Sequence, residues 1–157
     1  MTALIILGVA IVATVAVGLV LQSRAGKVRA TAPSATAALD DERATQLAAA
    51  GVTATGHPIV LHFSADWCGP CAAVRRVIGQ VLSRLAADAD GTPAATETEL
   101  DIDEHPALAK TLGVLSLPTT FILDGTLTER FRISGVPSAT DLETALAPLL
   151  ETGHPNS

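Results

Sequence analysis

Cysteine is scarce in this chain: there are two among 157 residues, Cys68 and Cys71. With no further cysteines, the chain does not suggest a small secreted fold stapled by disulfides. A zinc site wants four ligands, and the four histidines, His57, His62, His105 and His154, are too scattered to complete one by spacing. Covalent haem attachment wants histidine directly after the second cysteine, where this chain has Ala72. Positive charge is also short. Ten Lys and Arg against sixteen Asp and Glu leave a formal charge of -6, with no basic patch beyond Arg24, Lys27 and Arg29, which argues against nucleic acid as a partner. There is no internal repeat and no glycine loop of the phosphate-binding kind. For the one Cys-x-x-Cys pair, redox exchange is what remains.

The surroundings of the pair support that reading. Ile59 to Phe63 is a short apolar run with β-branched residues, bounded by Gly56-His57-Pro58 and Ser64-Ala65-Asp66, as expected of a buried strand. From Cys71 the period changes. Ala72, Val74, Val77, Ile78, Val81, Leu82 and Leu85 recur at spacings of three and four between Arg75, Arg76, Gln80 and Arg84, the pattern of an amphipathic helix. The dithiol therefore falls at a strand-to-helix junction, with Cys68 near the positive end of the helix dipole, where thiolate is favoured over thiol.

Phe63-Ser64-Ala65-Asp66-Trp67-Cys68-Gly69-Pro70-Cys71, followed some fifty residues later by Leu117-Pro118-Thr119 and the apolar strand Thr120 to Leu123, resembles the thioredoxin superfamily. The resemblance runs from about Ile59 to Leu150. It implies an α/β thioredoxin fold, a mixed central sheet with helices on both faces. The expected order is strand, dithiol helix, strand Thr96–Asp101, helix His105–Leu112, strand Thr119–Asp124, strand Thr128–Ser134 and helix Ser138–Leu150, with Asp124-Gly125 marking a hairpin turn. It further implies that Cys68 is the exposed nucleophile and Cys71 the buried resolving thiol. Pro118 matches the family's cis-proline and Gly135 its groove glycine. Together with Trp67, Gly69, Pro70 and Leu117 they would form the docking surface for a disulfide-containing protein substrate. No cofactor is implied beyond a redox-active Cys68–Cys71 disulfide, recharged by a thiol-reducing electron donor.

Three positions depart from the family pattern. The buried aspartate six residues before the nucleophile is His62 here, its usual lysine neighbour falls at Glu99, and the helix-kinking proline is Arg76, so a straighter dithiol helix is expected. A neutral imidazole can accept a proton near neutral pH, so His62 is the candidate base for Cys71; the alternative is a ring that only fills a strand position. Asp66, His57, His105 and His154 read as solvated surface groups.

The N-terminus carries a second signal. Leu4 to Leu21 is an uncharged apolar run, roughly 27 Å long as a helix, close to the thickness of a hydrocarbon core. It lacks the basic flank of a secretory signal peptide and has no polar face, so residues 1–22 are expected to be a single transmembrane anchor rather than a cleaved leader or a buried soluble helix. Arg24, Lys27 and Arg29 follow it, which by the positive-inside rule puts the catalytic domain on the cytoplasmic side. Residues 23–39 read as a small-residue juxtamembrane linker, 40–151 as the thioredoxin-like domain and 152–157 as a flexible tail. Within the domain, a short helix is expected over Arg43 to Ala50, and Gly51 to Gly56 is open to a short edge strand. The function expected is a thiol:disulfide oxidoreductase acting mainly as a reductase. Its alternatives are a non-catalytic redox-sensing binding module and an extracytoplasmic envelope reductase.

Overall fold

In the computed structural model of the chain, the described residues are 2–24, 26–31, 37–88 and 93–152. The element order is α1 (Thr2–Arg24), β1 (Val28–Ala30), α2 (Ala37–Ala49), β2 (Ile59–Ser64), α3 (Cys71–Asp88), β3 (Thr96–Asp101), α4 (Pro106–Thr111), β4 (Thr119–Leu123), β5 (Glu129–Ser134) and α5 (Ala139–Thr152). One five-stranded sheet runs β1-β5-β4-β2-β3. β2 and β3 are parallel and the other neighbours antiparallel, so the sheet is mixed.

β2 is buried along its whole length, which is why it reads as a continuous apolar run rather than an alternation. Its side chains still divide by parity. Ile59, Leu61 and Phe63 join Phe121, Leu123, Leu108 and Leu47 in the core under α2 and α4. Val60 faces the other way, with Val74, Ile78, Ile122 and Leu146 under α3 and α5. The helices thus cover both faces, as expected. The dithiol helix is longer than its apolar pattern and continues to Asp88.

Two local expectations are corrected. No strand forms over Gly51 to Gly56; the edge beside β5 is taken instead by β1, inside the stretch read as a linker. Cross-strand bonding makes this strand, not its own sequence. Val28, Arg29 and Ala30 pair with Ile133, Arg132 and Phe131, and Thr31 beyond them donates its hydroxyl to the buried carboxylate of Glu129 at 2.9 Å. That carboxylate also takes Arg132 Nε at 3.0 Å and Nη2 at 3.1 Å, with Arg43 of α2 at 3.9 Å, so one buried charge ties β1, α2 and β5 together. Of the expected tail, residues 153–157 lie outside the described residues, as do residues 32–36 of the linker; α5 extends to Thr152.

The turn between β4 and β5 also differs from an Asp-Gly hairpin. Leu127, not Gly125, takes the left-handed conformation, with φ 68°. Gly125 is required for a different reason: a Cβ there would lie 2.5 Å from the Gly56 carbonyl oxygen. Asp124 organises the loop by accepting hydrogen bonds from Thr126 N–H, Thr126 Oγ1–H and Thr128 N–H. Partial burial pushes its carboxyl up. The bonds from Thr126 and Thr128, with Arg130 nearby, outweigh that and hold it below its ordinary value of 3.8. A depressed folded-state value stabilises the fold above the ordinary value, and the contribution is lost as pH falls through the folded one. Asp124→Ala is therefore expected to cost about 1 kcal/mol at neutral pH and to show a smaller further loss at about pH 3 than wild type; urea denaturation at both pH values measures it.

Among the described residues no helix is long and apolar enough to cross a membrane. On α1 the described side chains run from Ile6 to Leu19, and all are exposed.

Candidate active site

The end of β2 fixes the site. Ser64 closes the strand, Cys68 N–H donates to the Ala65 carbonyl at 3.0 Å, and Cys71 N–H donates to the Cys68 carbonyl at 3.2 Å as α3 begins. Cys68 and Cys71 are joined in a disulfide with their Cα atoms 5.5 Å apart. Cys68 is half-buried while Cys71 is fully enclosed, the asymmetry expected of a nucleophile and a resolving thiol. Gly69 and Pro70 between them are exposed.

β4 is antiparallel to β2, so its first residue lies at the same end of the sheet: Thr119 pairs with Phe63. Pro118, buried and preceded by a cis peptide bond from half-buried Leu117, is thereby carried to the dithiol end. Gly135 leaves β5 there too, with φ 90°, and its N–H donates to the Pro118 carbonyl at 2.8 Å. Trp67 is 69% exposed, and its indole N–H reaches Asp103 Oδ2 at 3.2 Å. An open groove of about 420 Å³ runs from Trp67 past Ile102, Asp103 and Val114 to Leu115, which is 96% exposed. The expected docking residues therefore gather at one end of the sheet. Asp103 and Leu115 were not anticipated. The signal for Leu115 was available, since it is a large apolar residue in the short loop before Leu117-Pro118.

His62 is fully buried. It has the parity of Val60, so its side chain lies on the face covered by α3, the helix that begins at Cys71. Glu99 is its register partner on β3, at the position anticipated, but is engaged elsewhere: Arg75 Nε of α3 donates to Glu99 Oε1 at 2.9 Å. The ring instead meets Glu97, with Nε2 3.0 Å from Oε1. Its buried Nδ1 has no hydrogen-bond partner among the described residues, and neither does Oγ1 of Thr120, the residue opposite His62 on β4. Leaving such an atom unsatisfied costs about 1–3 kcal/mol. Sequence reasoning passed over Glu97 and Thr120. Among the described residues no group of three His, Cys, Asp or Glu side chains could hold a metal ion.

The comparisons with known proteins agree with this architecture. The family model for thioredoxin matches residues 44–147. A chloroplastic M-type thioredoxin of Zea mays is 36% identical over 89 residues, 57% of this chain and 50% of that protein. A thioredoxin of Mycolicibacterium smegmatis is 31% identical over 80 residues, 50% of this chain and 68% of that protein. The chain thus spans about half to two thirds of the length of these relatives. Among solved structures, chloroplastic thioredoxin z superposes with a TM-score of 0.51 at 27% identity, covering 69% of this chain and 88% of that one. A mutant thioredoxin of Halobacterium salinarum NRC-1 gives 0.51 at 28%, covering 64% and 80%. With that family model matched from α2 into α5, and with the disulfide at the junction where β2 hands over to α3, this chain belongs to the thioredoxin family.

Proposed function

We propose that the chain is a membrane-tethered thiol:disulfide oxidoreductase that reduces protein disulfides. The observation that carries this reading is the Cys68–Cys71 pair at the head of α3, half-exposed at Cys68 and enclosed at Cys71. In the reduced protein, Cys68 thiolate attacks one sulfur of a substrate disulfide; a Cys68–substrate bond forms and the first substrate thiolate leaves with the electron pair. Cys71 gives up its proton, with His62 as the base, and attacks Cys68. The Cys68–Cys71 bond forms, the Cys68–substrate bond breaks, and the second substrate thiolate departs. The substrate has gained two electrons and the protein has lost two, which a thiol donor restores. Trp67, Leu117, Pro118 and Gly135 line the docking surface for the substrate chain, with Gly69 and Pro70 between the thiols.

The test is turnover of insulin disulfides by the full chain in detergent, with dithiothreitol as donor. Precipitation of the freed insulin chain well above the donor-alone rate is expected, and a rate equal to donor alone overturns the proposal.

The tether is read from the sequence, in which Leu4 to Leu21 is an uncharged run of spanning length; the described side chains within it, Ile6 to Leu19, are all exposed. The cluster Arg24, Lys27 and Arg29 favours a cytoplasmic catalytic domain, where a cytoplasmic reducing system could serve as donor. Fusions of alkaline phosphatase and of a fluorescent protein after Ser157 are expected to give an inactive phosphatase and a bright fluorophore in the membrane fraction. The reverse pattern would place the domain on the outer face and make it an envelope reductase needing electrons passed through the membrane.

A further inference from the structure

The layer beneath α3 is largely apolar. Val60, Val74, Ile78 and Ile122 pack there, yet His62 and Thr120 face each other across β2 and β4 and bury two polar atoms, Nδ1 and Oγ1, that have no hydrogen-bond partner among the described residues. Cys71, the first residue of α3, is fully buried, and it precedes Val74 by three residues and so shares the helix face that packs on this layer. On the opposite edge of the imidazole, Nε2 lies 3.0 Å from Glu97 Oε1. A carboxylate only accepts, so this contact requires the proton on Nε2, and the neutral ring then carries its lone pair on Nδ1. The charged groups around the ring separate cleanly. Glu97 and Glu99 come from β3 and Arg75 from α3, while β4 contributes only the hydroxyl of Thr120. Arg75 is engaged with Glu99, which leaves Glu97 as the acid bonded to the ring.

We propose that Glu97 is a positioning residue that holds His62 as the Nε2–H tautomer, so that Nδ1 is the proton acceptor for Cys71. The inference rests on the reading of His62 as the base. In the resolving step the Cys71 S–H proton passes to Nδ1, and Cys71 thiolate forms its bond to Cys68 as the Cys68–substrate bond breaks. The imidazolium, paired with Glu97, then returns the proton to solvent or to the departing thiolate. Glu97 touches neither reacting sulfur in this scheme; it acts through the ring. Edge strand β3 leaves Glu97 31% exposed, so the isosteric change to glutamine removes the charge without opening a cavity.

The test separates the two thiols in time. The reduced full chain in detergent is mixed with an aromatic disulfide whose thiolate is coloured; the first equivalent released reports attack by Cys68 and the second reports resolution by Cys71. Glu97→Gln is expected to leave the first release unchanged and to slow the second about tenfold near neutral pH. Its pH profile should move to higher pH and converge with wild type in alkali, where Cys71 ionises unaided. A general structural defect would slow both releases at every pH. Nitrogen-15 NMR of the wild-type imidazole is expected to show the Nε2–H tautomer. An Nδ1–H tautomer, or superimposable profiles for Glu97→Gln and wild type, overturns the proposal. His62→Asn distinguishes the two levels. If it slows the second release while Glu97→Gln does not, only the role of Glu97 falls; if it leaves the second release and its profile unchanged, the base assignment itself falls.

Discussion

Cys68→Ser is expected to bring insulin reduction down to the rate of dithiothreitol alone, whereas Cys71→Ser should lose turnover but retain a single round of attack. The two thiols differ in what they can reach. Cys68 is half-exposed at the head of an 18-residue helix, where the positive end of the dipole favours the thiolate that does the attacking. A serine hydroxyl in its place is not ionised at neutral pH and forms no disulfide, so no substrate bond is made. Cys71 is enclosed, and the sulfur its position serves is Cys68. Removing it leaves the first exchange intact and deletes the internal nucleophile that ends it, so a Cys68–substrate mixed disulfide should accumulate in stoichiometric amount. Mass spectrometry under non-reducing conditions reads the adduct, and turbidity of the freed insulin chain reads turnover. Equal turnover by wild type and Cys68→Ser, or an adduct on Cys71 in the Cys68→Ser variant at the wild-type rate, would reverse the assignment of the two sulfurs.

Much of this arrangement was legible in the chain because it depends on local pattern. The apolar run Ile59 to Phe63 and the three-four spacing after Cys71 are periodicities of single elements, and they place the dithiol at its junction without any tertiary information. What stayed hidden depends on which neighbour a side chain meets. β3 reads Thr96-Glu97-Thr98-Glu99, with both acids on the face covered by α3, and only the reach of Arg75 from α3 assigns Glu99 to one partner and leaves Glu97 for His62. β1 is hidden for the same reason. Val28 to Ala30 has no strand pattern of its own, and its pairing with β5 and the bond from Thr31 to Glu129 make it one. At the β4–β5 turn the Asp-Gly pair is a true turn signal. The side chain of Asp124, by capping donors two and four residues on, carries the loop further and shifts the left-handed residue to Leu127.

The largest effect on stability is expected at Phe121 rather than anywhere in the dithiol loop. The chain has three phenylalanines, one tryptophan and no tyrosine, so its core has few large side chains to spare. Phe121 is fully buried at the centre of the sheet, edge-on to Phe63 with ring centroids 6.1 Å apart and an interplanar angle of 79°. The guanidinium carbon of Arg132 lies 4.6 Å from the centre of its ring. Truncation to alanine removes the ring from a close-packed layer and leaves a cavity, at a cost of about 3–5 kcal/mol. Losing the aromatic pair adds about 0.5–1.5 kcal/mol. The same change frees Arg132, which also clamps the buried Glu129 and so helps hold β1 and α2 against β5. Against the roughly 5–15 kcal/mol typical of a domain, Phe121→Ala should therefore remove a large share of the total and lower the melting temperature by at least about 12 °C. Trp67→Ala is the contrast. Its ring is 69% exposed and held by one hydrogen bond to Asp103, so thermal unfolding should move little while the apparent KM for a protein disulfide rises. Melting curves for the two variants decide the matter: comparable losses would mean that Trp67 is part of the folding core rather than of the substrate surface.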